Sequence, residues 1–525
     1  MGRFVGVSLA LAIAMTGGPP AAAQQDIEAL KAQAIAYVDG KAKLNQEIID
    51  TLFSFAEPAF EEEETGRYLT KILKDEGFTI QLGVGGMPTA WVATWTNGTG
   101  GPGLSFISDV DGLRGVSQKP GVLANEPLVE GGDGHGEGHN TGMAVSILGA
   151  LATKKIMQEQ GIAGTLQIWP GIAEEVLGAK AFYVRAGVFK GIDVVLANHV
   201  GRDLMSVWGQ EGSLGLISME YRFKGTTAHA AGDPWDGRSA LDAVELMNAG
   251  WNYRREHLRP EQRSHYVITQ GGDQPNVVPG EATVWYYFRN VDAKSVDEMR
   301  QIADRIATGA SQMTDTSWSR RILGSAWPRH NNKVIGEVYD ANIVRVGMPQ
   351  WSADDQAYAK AVQTALGAPV LGLKTEVTEM AKPGRPGGSG SDDIGTVMWT
   401  LPTARLYYPA NIQGLKGHSW EAALASATPI AHKGALAGAK VTALTAIDFL
   451  LKPDLIAQAK AYFTDVQTKD IKYYPLEDPT DVPAIWVNAE ADTRNRPQQR
   501  KFYYDAKKYR TYLDQLGVKY PVLTK

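Results

Sequence analysis

Residues 131–140 read Gly-Gly-Asp-Gly-His-Gly-Glu-Gly-His-Asn, which places two histidines and two acids among five glycines. Glycine opens backbone conformations that side chains forbid, so such a loop can fold tightly around a small charged object. Imidazole and carboxylate at a spacing of two can both point at one hard or borderline cation such as zinc. Alone, the stretch reads equally well as a flexible surface loop. Three more stretches bear on the choice: Ser108-Asp109-Val110-Asp111-Gly112, Ala173-Glu174-Glu175 and Asn198-His199-Val200. Each follows a short apolar run, and each offers residues that ligate metals or move protons.

Those apolar runs are short buried strands, at residues 104–107, 165–169 and 194–197, alternating with helices at 141–158 and 179–186. The order β-α-β-α-β marks a mostly parallel sheet with helices on its faces. In such sheets ligands bind outside the carboxyl ends of the strands. Asp109 and Asp111, Glu174 and Glu175, and His199 all fall just past a strand end, and the glycine loop shares that rim. Delivery of an acid, an acid pair and a histidine to one edge by three independent strands is the strongest signal in the residues themselves.

Upstream, residues 26–56 read as a helix divided at Asp39-Gly40, 68–76 as a helix and 91–95 as a strand. The acid run Glu61–Glu64 reads as a solvated helix start. A second unit begins near Gly212, with strands at 216–223, 265–269, 282–288 and 317–322 and helices at 239–253 and 296–311. That β-α-β-β-α-β order matches a ferredoxin-like layer. It is inserted, because a helix at 356–366, a strand at 404–407 and helices at 420–427 and 436–451 follow it. The segment 394–399 is too short to assign, and 382–391 lacks the Gly-Lys-Ser/Thr ending of a phosphate loop. The expected organisation is a signal peptide (1–23), a catalytic α/β domain in two parts (24–210 and 336–455), an inserted α+β lid or dimerisation domain (211–335), and a packed extension without visible chemistry (456–525).

The 525 residues carry a net charge of −6 with pI near 5.9, and 44% are hydrophobic and 21% charged. A mildly acidic chain has no overall field to draw in nucleic acid or an anionic membrane. The absence of cysteine excludes disulfides, thiolate zinc fingers and a cysteine nucleophile. Arg3, the apolar run 4–15 and Ala21-Ala22-Ala23 have the form of a cleavable export signal. The run is shorter than the roughly 20 residues of a membrane span, and no later apolar stretch is expected to approach that length. The expectation is an exported soluble protein, periplasmic or secreted.

Taken together, Ser108 to Leu113, His135-Gly136-Glu137-Gly138-His139-Asn140, Ala173-Glu174-Glu175 and Asn198-His199-Val200 resemble the dinuclear-metal aminoacylase/carboxypeptidase family, in its aminobenzoyl-glutamate hydrolase branch. The likeness extends to Gly225-Thr226-Thr227-Ala228-His229-Ala230-Ala231, Asn276-Val277-Val278-Pro279 and Gly417-His418-Ser419-Trp420, over about residues 30–455 in the right order. It implies an amide-bond hydrolase of small N-acyl amino acids or dipeptide-like substrates that uses two divalent ions, zinc first, with manganese or cobalt also open. Glu175 and His418 would hold one ion and His139 and His199 the other, with Glu137 bridging. Glu174 would be the general base, Asp111 would orient a ligand from behind, and His229 would stabilise the oxyanion, in relatives commonly from a partner subunit, so a homodimer is implied. Asn276, Ser389 and Gly390 would help hold the substrate. The amidohydrolase branches carry cysteine where this chain has Glu137, while more distant members bridge with aspartate; a carboxylate is therefore competent there, one methylene longer. Two other readings stand beside this one: a binding protein with a degenerate metal site, and a dinuclear hydrolase of esters or carbamates. Trp235, Trp251 and Trp285 are candidates for an aromatic acyl pocket or equally for core, and Arg289 and Arg263 are candidates for a substrate carboxylate.

Overall fold

A computed structural model describes residues 26–385 and 387–524; the segment read as an export signal, 1–23, lies outside the described residues. Its strands in chain order are β1 (Thr79–Leu82), β2 (Trp91–Asn97), β3 (Gly103–Asp109), β4 (Gly164–Gly171), β5 (Val194–Gly201), β6 (Met205–Ser206), β7 (Gly209–Gln210), β8 (Gly215–Lys224), β9 (Arg263–Gln270), β10 (Glu281–Asn290), β11 (Ser317–Ala326), β12 (His330–Asn331) and β13 (Thr403–Pro409). The largest sheet runs β1-β2-β4-β3-β5-β13-β6. Its centre, β4-β3-β5-β13, is parallel, and β1, β2 and β6 attach antiparallel at the margins. Every residue of β3 is buried, as expected of a strand covered on both faces.

The helix Gly142–Gln160 connects β3 to β4 and packs on the sheet with the helix Pro429–Leu451. The latter corrects the sequence reading: at 23 residues it is long and apolar enough on average to cross a membrane, yet 83% of its most apolar 18-residue stretch is buried inside the protein. High apolar content here marks a helix packed into the core rather than a span. Among the elements that escaped the sequence are β1, the helices Pro453–Tyr462 and Ala489–Gln499, and the helix Lys333–Val346, whose N-cap Asn332 accepts from Ile335 N at 3.4 Å. The expected helix at 420–427 stops at Ala423.

The inserted unit forms an antiparallel sheet, β11-β8-β10-β9, covered on one face by the helices Ala240–Arg255 and Ala293–Met313. Ile217, Met219, Tyr221 and Phe223 of β8 alternate into that core with Val284, Tyr286 and Phe288 of β10, the period-two burial of a one-faced sheet. Both helices start on side-chain caps: Ser239 accepts from Asp242 N and Asp292 from Ser295 N.

Beyond Leu451 the chain runs back across both units. Leu476 enters the core of the inserted unit and Ala484 that of the large sheet. Between them Asp478 pairs with Arg320 at 2.7 Å, Asp481 accepts from Ile322 N at 3.2 Å, and Trp486 lies under the Arg321 guanidinium at 4.0 Å. Farther on, Gln499 donates to the Asp133 carbonyl at 2.9 Å and so reaches the glycine loop.

Candidate active site

The carboxyl ends of β3, β4, β5 and β13 deliver their loops to one rim. Gly138 has φ +110°, a left-handed conformation that favours glycine, and it turns the chain so that Glu137 and His139 flank it. Glu137 sits at the centre of three imidazoles. Its Oε2 is 3.1 Å from His418 Nε2 and 3.8 Å from His139 Nε2, and its Oε1 is 3.6 Å from His199 Nε2. Glu175 stands opposite, with Oε2 3.6 Å from His418 Nε2 and Oε1 3.8 Å from His139 Nδ1.

The ring orientations follow from the hydrogen bonds behind them. His139 Nδ1 lies 3.3 Å from the Asp111 carbonyl, and His199 Nδ1 2.8 Å from the Val200 carbonyl. A carbonyl only accepts, so both Nδ1 atoms carry a proton and both Nε2 atoms face Glu137. Asp111 Oδ2 accepts from Glu175 N at 3.0 Å while its Oδ1 lies 3.5 Å from His139 Nδ1, so one side chain fixes two others. Three buried atoms that converge here have no hydrogen-bond partner: Asp111 Oδ1, His139 Nε2 and Glu175 Oε2. Buried polar atoms are almost always paired, and two carboxylates among three imidazoles form a donor set that divalent cations fill. Glu137, His139, Glu175, His199 and His418 therefore fit the metals implied above.

The electrostatics agree. Burial pushes the Glu175 carboxyl up to about 8 against the pull of His139, with Glu137 and Asp111 adding to the rise. Burial also acts to raise Glu137, but the hydrogen bond from His418 and the charges of His199 and His139 hold it below the usual carboxylate range. Glu174 is raised by burial and by Asp392 and Asp109, with Lys180 opposing. Acids this crowded favour positive charge among them.

Backbone strain gathers at the same place. Ala173, Leu177 and His418 are non-glycine residues with φ of 51°, 53° and 53°, and such strain persists where surroundings enforce it. Glu62 is one such surrounding, and it corrects the reading of Glu61–Glu64 as a solvated run. It is 1% exposed; its Oε1 accepts from Phe60 N and from Ala173 N at 2.9 Å, and its Oε2 from Thr89 Oγ1 at 2.7 Å.

A cavity of about 540 Å³ opens over Glu137, Glu174, Glu175, His199 and His418, and Arg289 and Gly390 line its wall. Ser389 is exposed and outside the lining, and accepts from Arg329 Nη2 at 3.2 Å. His229 and Asn276 are not brought to this cavity: both are exposed on the inserted unit, where Ala230 N donates to the Asn276 carbonyl at 3.0 Å. The tryptophans form no acyl pocket here. Trp251 is core, Trp285 donates to Ser218 Oγ, Trp235 is 69% exposed, and none of them lines the cavity; nor does Arg263.

Sequence reasoning missed a charged wall. Arg405, bonded to Asp392, and Arg329, with Nε 3.2 Å from Glu211 Oε2, stand beside Tyr407, whose hydroxyl donates to Glu211 at 2.7 Å. Behind Glu174, Lys180 is wholly buried between Asp109, at 2.6 Å, and Asp393. Lone arginines and lysines carry no spacing signal. The Asp392-Asp393 pair, just past the Gly388–Ser391 loop, was the clue available.

Residues 212–314 match a peptidase dimerisation domain. Over 455 residues the chain is 31% identical to a p-aminobenzoyl-glutamate hydrolase component of Escherichia coli (strain K12), covering 82% of this chain and 94% of that protein. It is 25% identical over 458 residues to the Xaa-Arg dipeptidase of Mus musculus, covering 85% and 94%. Among solved structures, an aminobenzoyl-glutamate utilization protein from Klebsiella pneumoniae shares the fold, with a TM-score of 0.54 and 20% identity over 78% of this chain and 98% of that one. An inserted dimerisation domain, a mostly parallel sheet, and a relative this similar along almost its whole length place the chain in the M20 peptidase family, as an amide-bond hydrolase.

Proposed function

We propose that this hydrolase cleaves the amide bond of a small N-acyl amino acid or dipeptide-like substrate at a centre of two divalent ions, zinc first among them. The observation that carries the reading is the Glu137 carboxylate set among His139, His199 and His418, with unpartnered buried atoms aimed into the same space. Glu175 and His418 would hold one ion and His139 and His199 the other, with Glu137 shared. When bound, the ions supply Lewis acidity that polarises a carbonyl and acidifies water. The chain's own residues do the rest. Asp111 keeps His139 and Glu175 in place, and Glu174 takes a proton from the attacking water and returns it to the leaving nitrogen.

His229 is built as a donor. Its Nδ1 accepts from Ala231 N at 3.1 Å and Gly232 N at 3.0 Å, so Nε2 carries the proton and is presented outward. A second copy of the chain would bring that donor to the developing oxyanion. The exposed edge strand β9, with Tyr266, Val267 and Ile268 at 37%, 56% and 44% exposure, supports pairing through the inserted unit. The relatives' names point to an aminobenzoyl-glutamate or an Xaa-Arg dipeptide as models of the substrate. The sequence of residues 1–23 supports action in the periplasm or outside the cell.

The test is hydrolysis of a panel of N-acyl amino acids, dipeptides, esters and carbamates by zinc-reconstituted and chelator-treated protein. Turnover of amides that requires metal and falls by roughly 10²–10⁴-fold in Glu174→Gln supports the reading. Turnover that survives chelation, or that is confined to esters or carbamates, would refute it.

A further inference from the structure

The glycine loop carries Glu137 and His139, yet its five glycines give the backbone wide freedom, so other parts of the chain must hold it in one shape. Its main anchor is Asp133, which is buried. Its Oδ1 lies 3.1 Å from Arg114 Nε, its Oδ2 accepts from Asn495 Nδ2 at 3.4 Å, and its carbonyl accepts from Gln499 Nε2 at 2.9 Å. Two of these three donors come from the C-terminal extension, 362 and 366 residues farther along the chain.

The helix that supplies them, Ala489–Gln499, buries Ala491, Asp492, Asn495 and Gln499, which share one face at helical spacing. Three of the four are polar. A helix kept only for packing buries an apolar face, whereas buried amides and carboxylates cost free energy unless each finds a partner. Here each finds one. Asp492 Oδ2 lies 2.6 Å from Arg496 Nε, and Arg496 reaches Glu63 at 2.8 Å and the Glu61 carbonyl at 2.7 Å, which pins the helix to the acid run. Farther on, Tyr504 N donates to Ser54 Oγ at 3.0 Å and Tyr512 N to Asp50 Oδ2 at 2.8 Å. Both acceptors stand on the helix Ala42–Phe55, whose Leu52 carbonyl lies 3.0 Å from Nε2 of His135, a second buried anchor of the loop.

We propose that the extension is part of the support of the active site, with Asn495 and Gln499 as positioning residues. By holding Asp133 they hold the glycine loop, and so set how tightly Glu137 and His139 grip the metal ions. This rests on the two-ion reading above, in which Glu137 is shared, so a displaced loop weakens both ions. Residues that orient metal ligands from behind carry about 10–100-fold in affinity. Asn495 and Gln499 act one step farther back, which puts their joint effect at about tenfold, the low end of that range.

The test is zinc affinity of the full chain, measured by competition with a chromogenic chelator, beside the melting temperature of the metal-free protein. Asn495→Ala/Gln499→Met should bind zinc about tenfold more weakly than the parent. Gln499→Met alone, which keeps the side chain's length and loses only its polar end, should show a smaller loss of the same sign, and it carries the test if the double variant does not fold. Asp478→Asn loosens the same extension at a distant point, its 2.7 Å pair with Arg320, and should bind zinc as the parent does. A merely structural role would lower the metal-free melting temperature and leave zinc affinity alone. Unchanged affinity in Gln499→Met and in the folded double variant, or an equal loss in Asp478→Asn, overturns the inference while leaving the two-ion centre standing. A parent that binds no zinc overturns the two-ion reading and this inference with it.

Discussion

Replacing Lys180 with methionine isolates the buried charge that stands behind the general base. The Lys180 ammonium is 2.6 Å from Asp109 Oδ1 and is bonded to Asp393 Oδ1, with all three side chains at most 5% exposed. The packing leaves no slack: a Cβ on Gly171 would fall 1.9 Å from Asp109 Oδ1 and 3.0 Å from Lys180 Nζ. Methionine fills a similar volume but strands two buried carboxylates, and removing one partner of a buried pair costs about 3–5 kcal/mol. The cost should depend on pH. Burial already pushes Asp393 up to about 7, with Lys180 opposing, so without Lys180 the folded-state value rises further. An acid raised in the folded state gives its stability below the unfolded value and loses it as pH rises through the folded one. Lys180→Met should therefore lose more stability at pH 8 than at pH 5.5. Denaturant midpoints followed by tryptophan fluorescence at both pH values measure this, and adding Asp393→Asn should restore part of the loss, because a neutral amide needs no cation. A Lys180→Met loss below about 1 kcal/mol at pH 8, or no recovery in the double variant, would refute the reasoning.

Two further outcomes follow from other parts of the molecule. Burial pulls His330 down to about 4, and its ring meets the Tyr462 hydroxyl at 3.2 Å. Its contribution to stability is present above its unfolded value near 6.5 and is lost as pH falls toward 4, so melting curves of His330→Gln should decline less steeply over that interval than those of the parent; parallel curves would count against it. The Asp478–Arg320, Asp481–Ile322 and Trp486–Arg321 contacts bind the inserted unit to the large sheet. The chain has no cysteine, so spin labels on cysteines placed at the exposed positions Lys71 and Lys294 can report the angle between the units. Pulsed electron resonance should give a broader distance distribution in Arg320→Ala/Trp486→Ala than in the parent, and identical distributions would contradict a clamping role for the extension.

The sequence shows the site where chemistry coincides with strand ends. Asp111, the glycine loop, Glu174-Glu175 and His199 were legible because β3, β4 and β5 are apolar runs that stop just before or around polar residues of distinctive type. His418 was legible only through the likeness of Gly417-His418-Ser419-Trp420, since its loop after β13 has no pattern of its own. The inserted sheet was legible from period two, as Ile217, Met219, Tyr221 and Phe223 show. What lay hidden is long-range. Glu62 looks solvated in a run of acids, and only its reach to Ala173 N, 111 residues away, explains its burial. Lys180, Arg329 and Arg405 meet their acids through the fold rather than along the chain. His229 and Asn276 lie exposed on the inserted unit, away from the cavity, as a residue supplied to a partner subunit would.

The most direct test is metal stoichiometry by elemental mass spectrometry on protein loaded with zinc and dialysed. About two ions per chain are expected in the parent, and fewer in Glu137→Ala, because one carboxylate lies 3.1–3.8 Å from all three imidazoles. Two ions retained in Glu137→Ala, or one or none in the parent, would contradict it.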